Sequence, residues 1–222
     1  MALSAALDEL KPVFEQQSHI KLAIAYTLIA DVRKRVLVGE TADVIIISQP
    51  AMDDLEKAGK LMPGSRTSVA STAVSLAARA GAPKPDIGTV DAFKKTLLDA
   101  KSIAYSDPAK GGASGVYFAK VIERLGIADQ LKSKLIPVGG AQSAVLVAKG
   151  EAELGVGQAS EIVPVQGAEL VGPLPSEFAS TTVFVGAIGA GSKSAEAAKS
   201  LFHFLASPEA KAALKQKGFE PG

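Results

Sequence analysis

"YSDPAKGGASGVYFAKVIERLGI", Tyr105 to Ile127, decides how this chain is read. Phe118, Val121, Ile122 and Leu125 recur at helical spacing, and Gly126 ends the run. "KSIAY" (101–105) ahead of it predicts a short strand, so the stretch is strand, loop and helix. The loop delivers Gly111, Gly112, Ala113, Ser114 and Gly115 to the start of the helix, where glycine lets a ligand approach the backbone closely. A helix N-terminus leaves N–H groups without partners and carries about half a positive charge, so it accepts anions or carbonyl oxygens. Ser114 can cap the helix or donate to a ligand, and the plain alternative is a glycine-rich loop with an ordinary serine cap. The Gly-Lys-Ser/Thr ending of a phosphate P-loop is absent.

Working outward, the same alternation repeats. Leu3, Leu7, Leu10, Val13 and Phe14 predict a first helix, and Ile20, Leu22 and Ile24 then alternate as a strand would. A helix over 29–38, stopped by Gly39, leads to "ADVIIIS" (42–48), an apolar run expected of a parallel strand covered on both faces. Ser48 and Pro50 open the next helix, and Gly59 ends it. Thr89 caps a helix over 90–98. "LIPV" (135–138), a helix over 141–149, "AELGVG" (152–157), "TTVFVGAIGA" (181–190) and helices near 194–206 and 208–217 complete about nine strands and nine helices. This is an α/β chain with helices on both sheet faces. Two segments rich in Pro and Gly, 62–87 and 163–192, break the rhythm as crossovers between lobes would. We therefore expect lobe one to hold 1–76 and 178–222, and lobe two 77–177.

Composition narrows the function classes. With 24 Lys and Arg against 23 Asp and Glu, and no basic block interleaved with aromatics, the footprint of a nucleic-acid binder is missing. Zero cysteines exclude disulfides, thiolate metal sites and a cysteine nucleophile. Apolar residues reach 47%, yet no run approaches the roughly 18 residues of a membrane span. No charged and apolar leader precedes the first helix, so the chain as written is expected in the cytoplasm, or in the periplasm if an upstream signal has been removed.

"SPEAKAALKQKGFEP" (207–221), following the helix "AAKSLFHFLA", resembles the closing signature of bacterial solute-binding proteins with the type II periplasmic fold. "VFEQQSHIKLAIAY" (13–26), "GETADVIIIS" (39–48), "SIAYSDPAKGGASGVYFAKVIERLGI" (102–127) and "AVLVAKGEAELGVGQASEI" (144–162) appear in the order of the molybdate-binding branch of ABC transporter substrate-binding proteins. The resemblance spans essentially the whole chain. It implies two lobes, each a mostly parallel sheet flanked by helices, joined by two crossover strands. A small anion would be held between them at helix N-termini. It further implies a monomer without cofactor or direct membrane insertion, with an ABC transporter membrane component as candidate partner.

Three positions depart from the family pattern. Ala2 falls where an oxyanion-binding serine is usual, "YTLIAD" (26–31) replaces a loop rich in Ser and Gly, and Gln158 replaces a tyrosine. A desolvated oxyanion needs hydroxyl and amide donors, and aliphatic carbon leaves its charge uncompensated. An organic acid with an apolar portion suits these residues better than molybdate. The expected ligand-binding residues are Tyr26, Thr27, Ser48, Gly112, Ala113, Ser114, Gly115, Gln142 and Gln158, with Tyr26, Leu28 and Ile29 as an apolar wall.

His19 and His203 have no acidic residue at metal-ligand spacing, so packing or surface roles are expected and no metal site is assigned. Asp107, before Pro108, is expected to fix a turn, and Arg66 to be a surface arginine. No Ser-His-Asp set can be assembled. A second class remains: an isomerase or tautomerase of an unsaturated acid or ketone on the same scaffold, with Glu161 as general base, against the commoner reading of Glu161 as a solvated helix-start glutamate. The resemblance also implies a strand ahead of the first helix. Its place could be filled by an upstream segment, by another copy, or by closure of the flanking strands, and we expect the first.

Overall fold

The structure is a computed structural model that describes residues 2–110, 112–139 and 141–222. In chain order its elements are α1 (Ser4–Ser18), α2 (Ile29–Leu37), β1 (Val44–Ser48), α3 (Gln49–Lys57), β2 (Thr67–Arg79), α4 (Val90–Asp99), β3 (Ile103–Ser106), α5 (Ala113–Arg124), α6 (Ala128–Leu131), β4 (Leu135–Val138), α7 (Ser143–Lys149), β5 (Leu154–Gln158), α8 (Ala159–Ile162), β6 (Ala168–Pro173), β7 (Thr181–Ile188), α9 (Ala195–Leu205), α10 (Pro208–Gln216) and β8 (Glu220–Pro221). The chain divides into two units, Met1–Ser71 with Thr182–Gly222, and Thr72–Thr181.

In the first unit the strands lie in the order β1, β7, β2, with β8 also on β2. β1 alternates faces. Ile45 and Ile47 pack with Met52, Leu55 and Val185, while Val44 and Ile46 turn to the cluster of Leu10, Phe14, Phe184 and Phe204. Burying apolar side chains on both faces is what the unbroken run VIII requires. The Phe14 and Phe204 rings lie 5.4 Å apart at 52° and fasten α1 to α9.

The segment read as a strand at Ile20, Leu22 and Ile24 forms no ladder; residues 20–28 carry no regular structure. The reason is local. The Leu22 N–H donates to Glu15 Oε1 at 2.7 Å, and the Leu22 carbonyl accepts from Lys11 Nζ at 2.6 Å. Two side chains one helical turn apart on α1 thus stand in for a neighbouring strand. Period-two alternation survives without the pairing that defines a strand.

The second unit orders its strands β6, β2, β5, β3, β4. β3 pairs in parallel with β4 and β5; β1, expected as a parallel strand, instead runs antiparallel to β7, and β2 runs antiparallel to β5, β6 and β8. Within the parallel set helices provide the crossovers that parallel connections demand: α5 and α6 lie between β3 and β4, and α7 between β4 and β5. Thr89 caps α4 as expected, its hydroxyl accepting from Ala92 N at 3.1 Å. Phe118, Val121, Ile122 and Leu125 are all buried, against Leu76, Phe93 and Ile103. Gly126 ends the turn after α5 with φ +68.

Candidate functional site

Ligands in α/β sheets bind beyond the carboxyl ends of parallel strands. Here β3, β4 and β5 lie side by side, and α5, α7 and α8 follow them, so three helix N-termini share that edge of the second unit. Gly112 is the N-cap of α5, and no side chain caps it. Ser114 is therefore not the cap: it lies inside the first turn, 4% exposed, and donates to the Ser106 hydroxyl at 3.3 Å. Gly111 lies outside the described residues. Gly115 proves to be a packing residue, because a Cβ there would sit 1.6 Å from the Ser106 carbonyl oxygen. At Gly112 a Cβ would meet Ser106 Cβ at 2.7 Å. Both glycines let α5 start against the last residue of β3.

Asp107 fixes the turn, its Oδ1 accepting from Ala109 N at 2.9 Å. Lys110, between β3 and α5, is exposed, and its Nζ stands 3.9 Å from where a Cβ on Gly139 would be, just after β4. The sequence reading missed this cation, although "DPAK" places it directly before the glycines. It also missed Ser106 and Ser143, buried at 5% and 2%, which only the strand register brings to the same edge.

Gln142 is the N-cap of α7, without a side-chain capping bond. Ser143 Oγ and Glu161 Oε2 approach the face of Gly157, at 3.0 and 3.6 Å from its Cβ position. Gln158 is buried and caps α8 in a reciprocal box with Glu161, whose Oε2 accepts from Gln158 N at 3.3 Å. Glu161 is thus half-buried rather than solvated. Burial pushes its carboxyl above the usual range, against the opposing pull of that hydrogen bond. A raised folded pKa means that this contribution to stability is full below the unfolded value and lost as pH rises through the folded one. Glu161→Gln should therefore melt like the parent near about pH 4 and above it near about pH 8, in thermal denaturation at both values.

The residues expected from the first unit are engaged locally. Tyr26 donates to Asp8 Oδ1 at 2.7 Å, and burial, then that carboxylate, push its phenol up. Thr27 donates to Asp31 at 3.2 Å. Ser48 occupies the N-cap of α3 without a capping bond, and Leu28 is 52% exposed. Arg66 is not a lone surface cation: it bridges Asp53 at 2.7 Å and Glu56 at 2.6 Å. Among the described residues no three His, Asp or Glu side chains gather as a metal site, and no helix is long and apolar enough to cross a membrane.

A mixed α/β chain with helices on its sheet faces, and helix N-termini at the carboxyl edge of a parallel set, is the fold of type II periplasmic binding proteins. The family model described as "Bacterial extracellular solute-binding protein" matches residues 1–220. The chain belongs to that family. A relative from Pseudomonas sp named aconitate isomerase is 34% identical over 99% of this chain and 84% of its own length. Among solved structures, the substrate-binding domain of a putative molybdenum ABC transporter from Clostridium difficile matches with TM-score 0.80 at 20% identity, covering 100% of this chain and 95% of the other. The Azotobacter vinelandii periplasmic molybdate-binding protein matches with TM-score 0.75 at 20% identity, covering 100% and 96%. At that identity the two structures speak for the fold alone.

Proposed function

We propose that the protein binds a small organic polycarboxylate, with one carboxylate docked at the first-turn amides of α5. The observation that carries this reading is the cap: Gly112 offers no side-chain acceptor, so the N–H groups of the first turn are available to a ligand. Ser114 lies at the same place, where its hydroxyl would turn from Ser106 to the ligand, and Lys110 supplies charge. Gln142 and Gln158 are the proposed orienting groups, and Tyr26, Thr27 and Ser48 stay candidates to be tested by substitution. The relative named for aconitate supports the choice, since aconitate is an unsaturated tricarboxylic acid.

A thermal-shift titration tests it. A tricarboxylate at about 100 times its dissociation constant should stabilise the fold by about 2.7 kcal/mol, and molybdate should not. Ser114→Ala should weaken the tricarboxylate about tenfold, the scale of one hydrogen bond to a charged group. A stabilising response to molybdate alone would contradict the proposal.

One arrangement favours a second reading, isomerisation of the bound acid. Glu161 holds a carboxylate with a raised pKa beside Ser143 at the same strand edge. A base taking a proton from the CH2 next to a C=C bond leaves charge spread over the allyl system and its carboxyl group, and returning the proton at the far carbon moves the double bond. Helix amides and Lys110 would stabilise the developing charge.

A further inference from the structure

Ser160 differs from the other buried serines and threonine. It is 3% exposed, and among the described residues its hydroxyl has no hydrogen-bond partner. Most buried hydroxyls are paired, and an unpaired one carries a desolvation cost that alanine would not. The backbone of the same residue is engaged, since Ser160 N donates to Thr72 Oγ1 at 3.1 Å. Strand register places the residue. Val74 and Leu76 of β2, and Leu154 and Val156 of β5, share one cluster with Phe118 and Val121 of α5. Val74 lies opposite Gln158, and alternation puts Thr72 and Gln158 on that same face, one step beyond the apolar core. Both are buried. The core under α5 thus ends, at the carboxyl edge of β5, in a polar group of Thr72, Gln158 and Ser160.

We infer that Ser160 is a further ligand-binding residue, whose hydroxyl donates to a second carboxylate of the ligand; the inference rests on docking of the first carboxylate at α5. α5 begins against Ser106 at the end of β3, and β3 lies beside β5 with Tyr105 opposite Val156. From β3 to β5 is one strand spacing and to β2 two, about 5 to 10 Å. That is too wide for the two oxygens of one carboxylate and within the reach of two carboxylates on a short carbon chain. An ionised carboxylate only accepts, so it needs a donor, and the serine hydroxyl supplies one by turning between staggered rotamers. The pair of sites then reads the number of carboxylates. A monocarboxylate docked at α5 leaves Ser160 unpaired, and a site built to pair a buried polar group discriminates against the analogue that lacks the partner.

The test compares the parent chain with Ser160→Ala, using trans-aconitate and crotonate, which keeps one carboxylate and the double bond but has no second carboxylate. Affinities come from amide shifts at 113–115 in labelled protein. Ser160→Ala should weaken trans-aconitate about tenfold, the scale of one hydrogen bond to a charged group. It should leave crotonate within about twofold, because that ligand makes no contact there to lose. The unliganded variant should melt at or above the parent, since the hydroxyl removed had no partner in the fold. Ser160→Cys, with its weaker donor, should fall between parent and alanine for trans-aconitate alone. Unchanged affinity for trans-aconitate in Ser160→Ala, with a lowered melting temperature, would make the hydroxyl structural and overturn the inference. Equal weakening of both ligands would overturn it too, by assigning Ser160 to the first carboxylate. Absence of shifts at 113–115 in the parent would instead remove the docking at α5, and the inference with it.

Discussion

Replacing Gly115 by alanine should unfold or severely weaken the 72–181 unit. The added Cβ would lie 1.6 Å from the Ser106 carbonyl oxygen and 2.6 Å from its carbon, a clash with backbone that no rotamer relieves. α5 would have to lift away from β3, opening the packing of Phe118 and Val121 against the parallel strands. Overpacking costs about 1 to 3 kcal/mol where side chains can yield, and a main-chain obstacle belongs at or beyond the top of that range. Urea denaturation should show a midpoint far below that of the parent. Gly88→Ala is the control, since its Cβ meets only Asp86 Oδ1 at 3.4 Å and should change stability by no more than about 0.5 kcal/mol. A normal midpoint for Gly115→Ala would mean that α5 does not rest on Ser106 as described.

Glu161→Gln separates binding from catalysis. Glutamine keeps the shape and can accept the Gln158 N–H, so α8 stays capped and affinity for a tricarboxylate should remain within about twofold. Turnover, measured as deuterium entering aconitate in heavy water, should fall by about 10² to 10⁴ if Glu161 is the base. Deuterium entry that continues unchanged in the variant would remove Glu161 from the reaction. The raised pKa caused by burial serves both readings, because it makes the carboxylate a stronger base and also taxes an ordinary capping glutamate.

The sequence made the helices and the parallel strands legible because each carries a local signal. Thr89, Gly126 and the Phe118 to Leu125 stripe act within a few residues of themselves. What it hid depends on distant partners. The alternation at Ile20, Leu22 and Ile24 is real, but whether it makes a strand rests on an edge to pair with, and α1 side chains took that role. At the candidate site the glycine loop was plain, whereas Ser106 and Ser143 become visible only once register sets β3 beside β5. That Gly115 also admits the backbone of Ser106 could not be read from the sequence, because the demand comes from the neighbouring strand and not from the loop itself.

The most direct measurement is a titration of 15N-labelled protein with a tricarboxylate, read amide by amide. The account predicts saturable shifts largest at Ala113, Ser114 and Gly115, smaller ones at Ser143 and the Gln158 cap, weakening on Lys110→Ala, and none with molybdate at equal concentration. Saturable shifts that leave 113–115 unmoved, or a tighter response to molybdate than to the tricarboxylate, would contradict it.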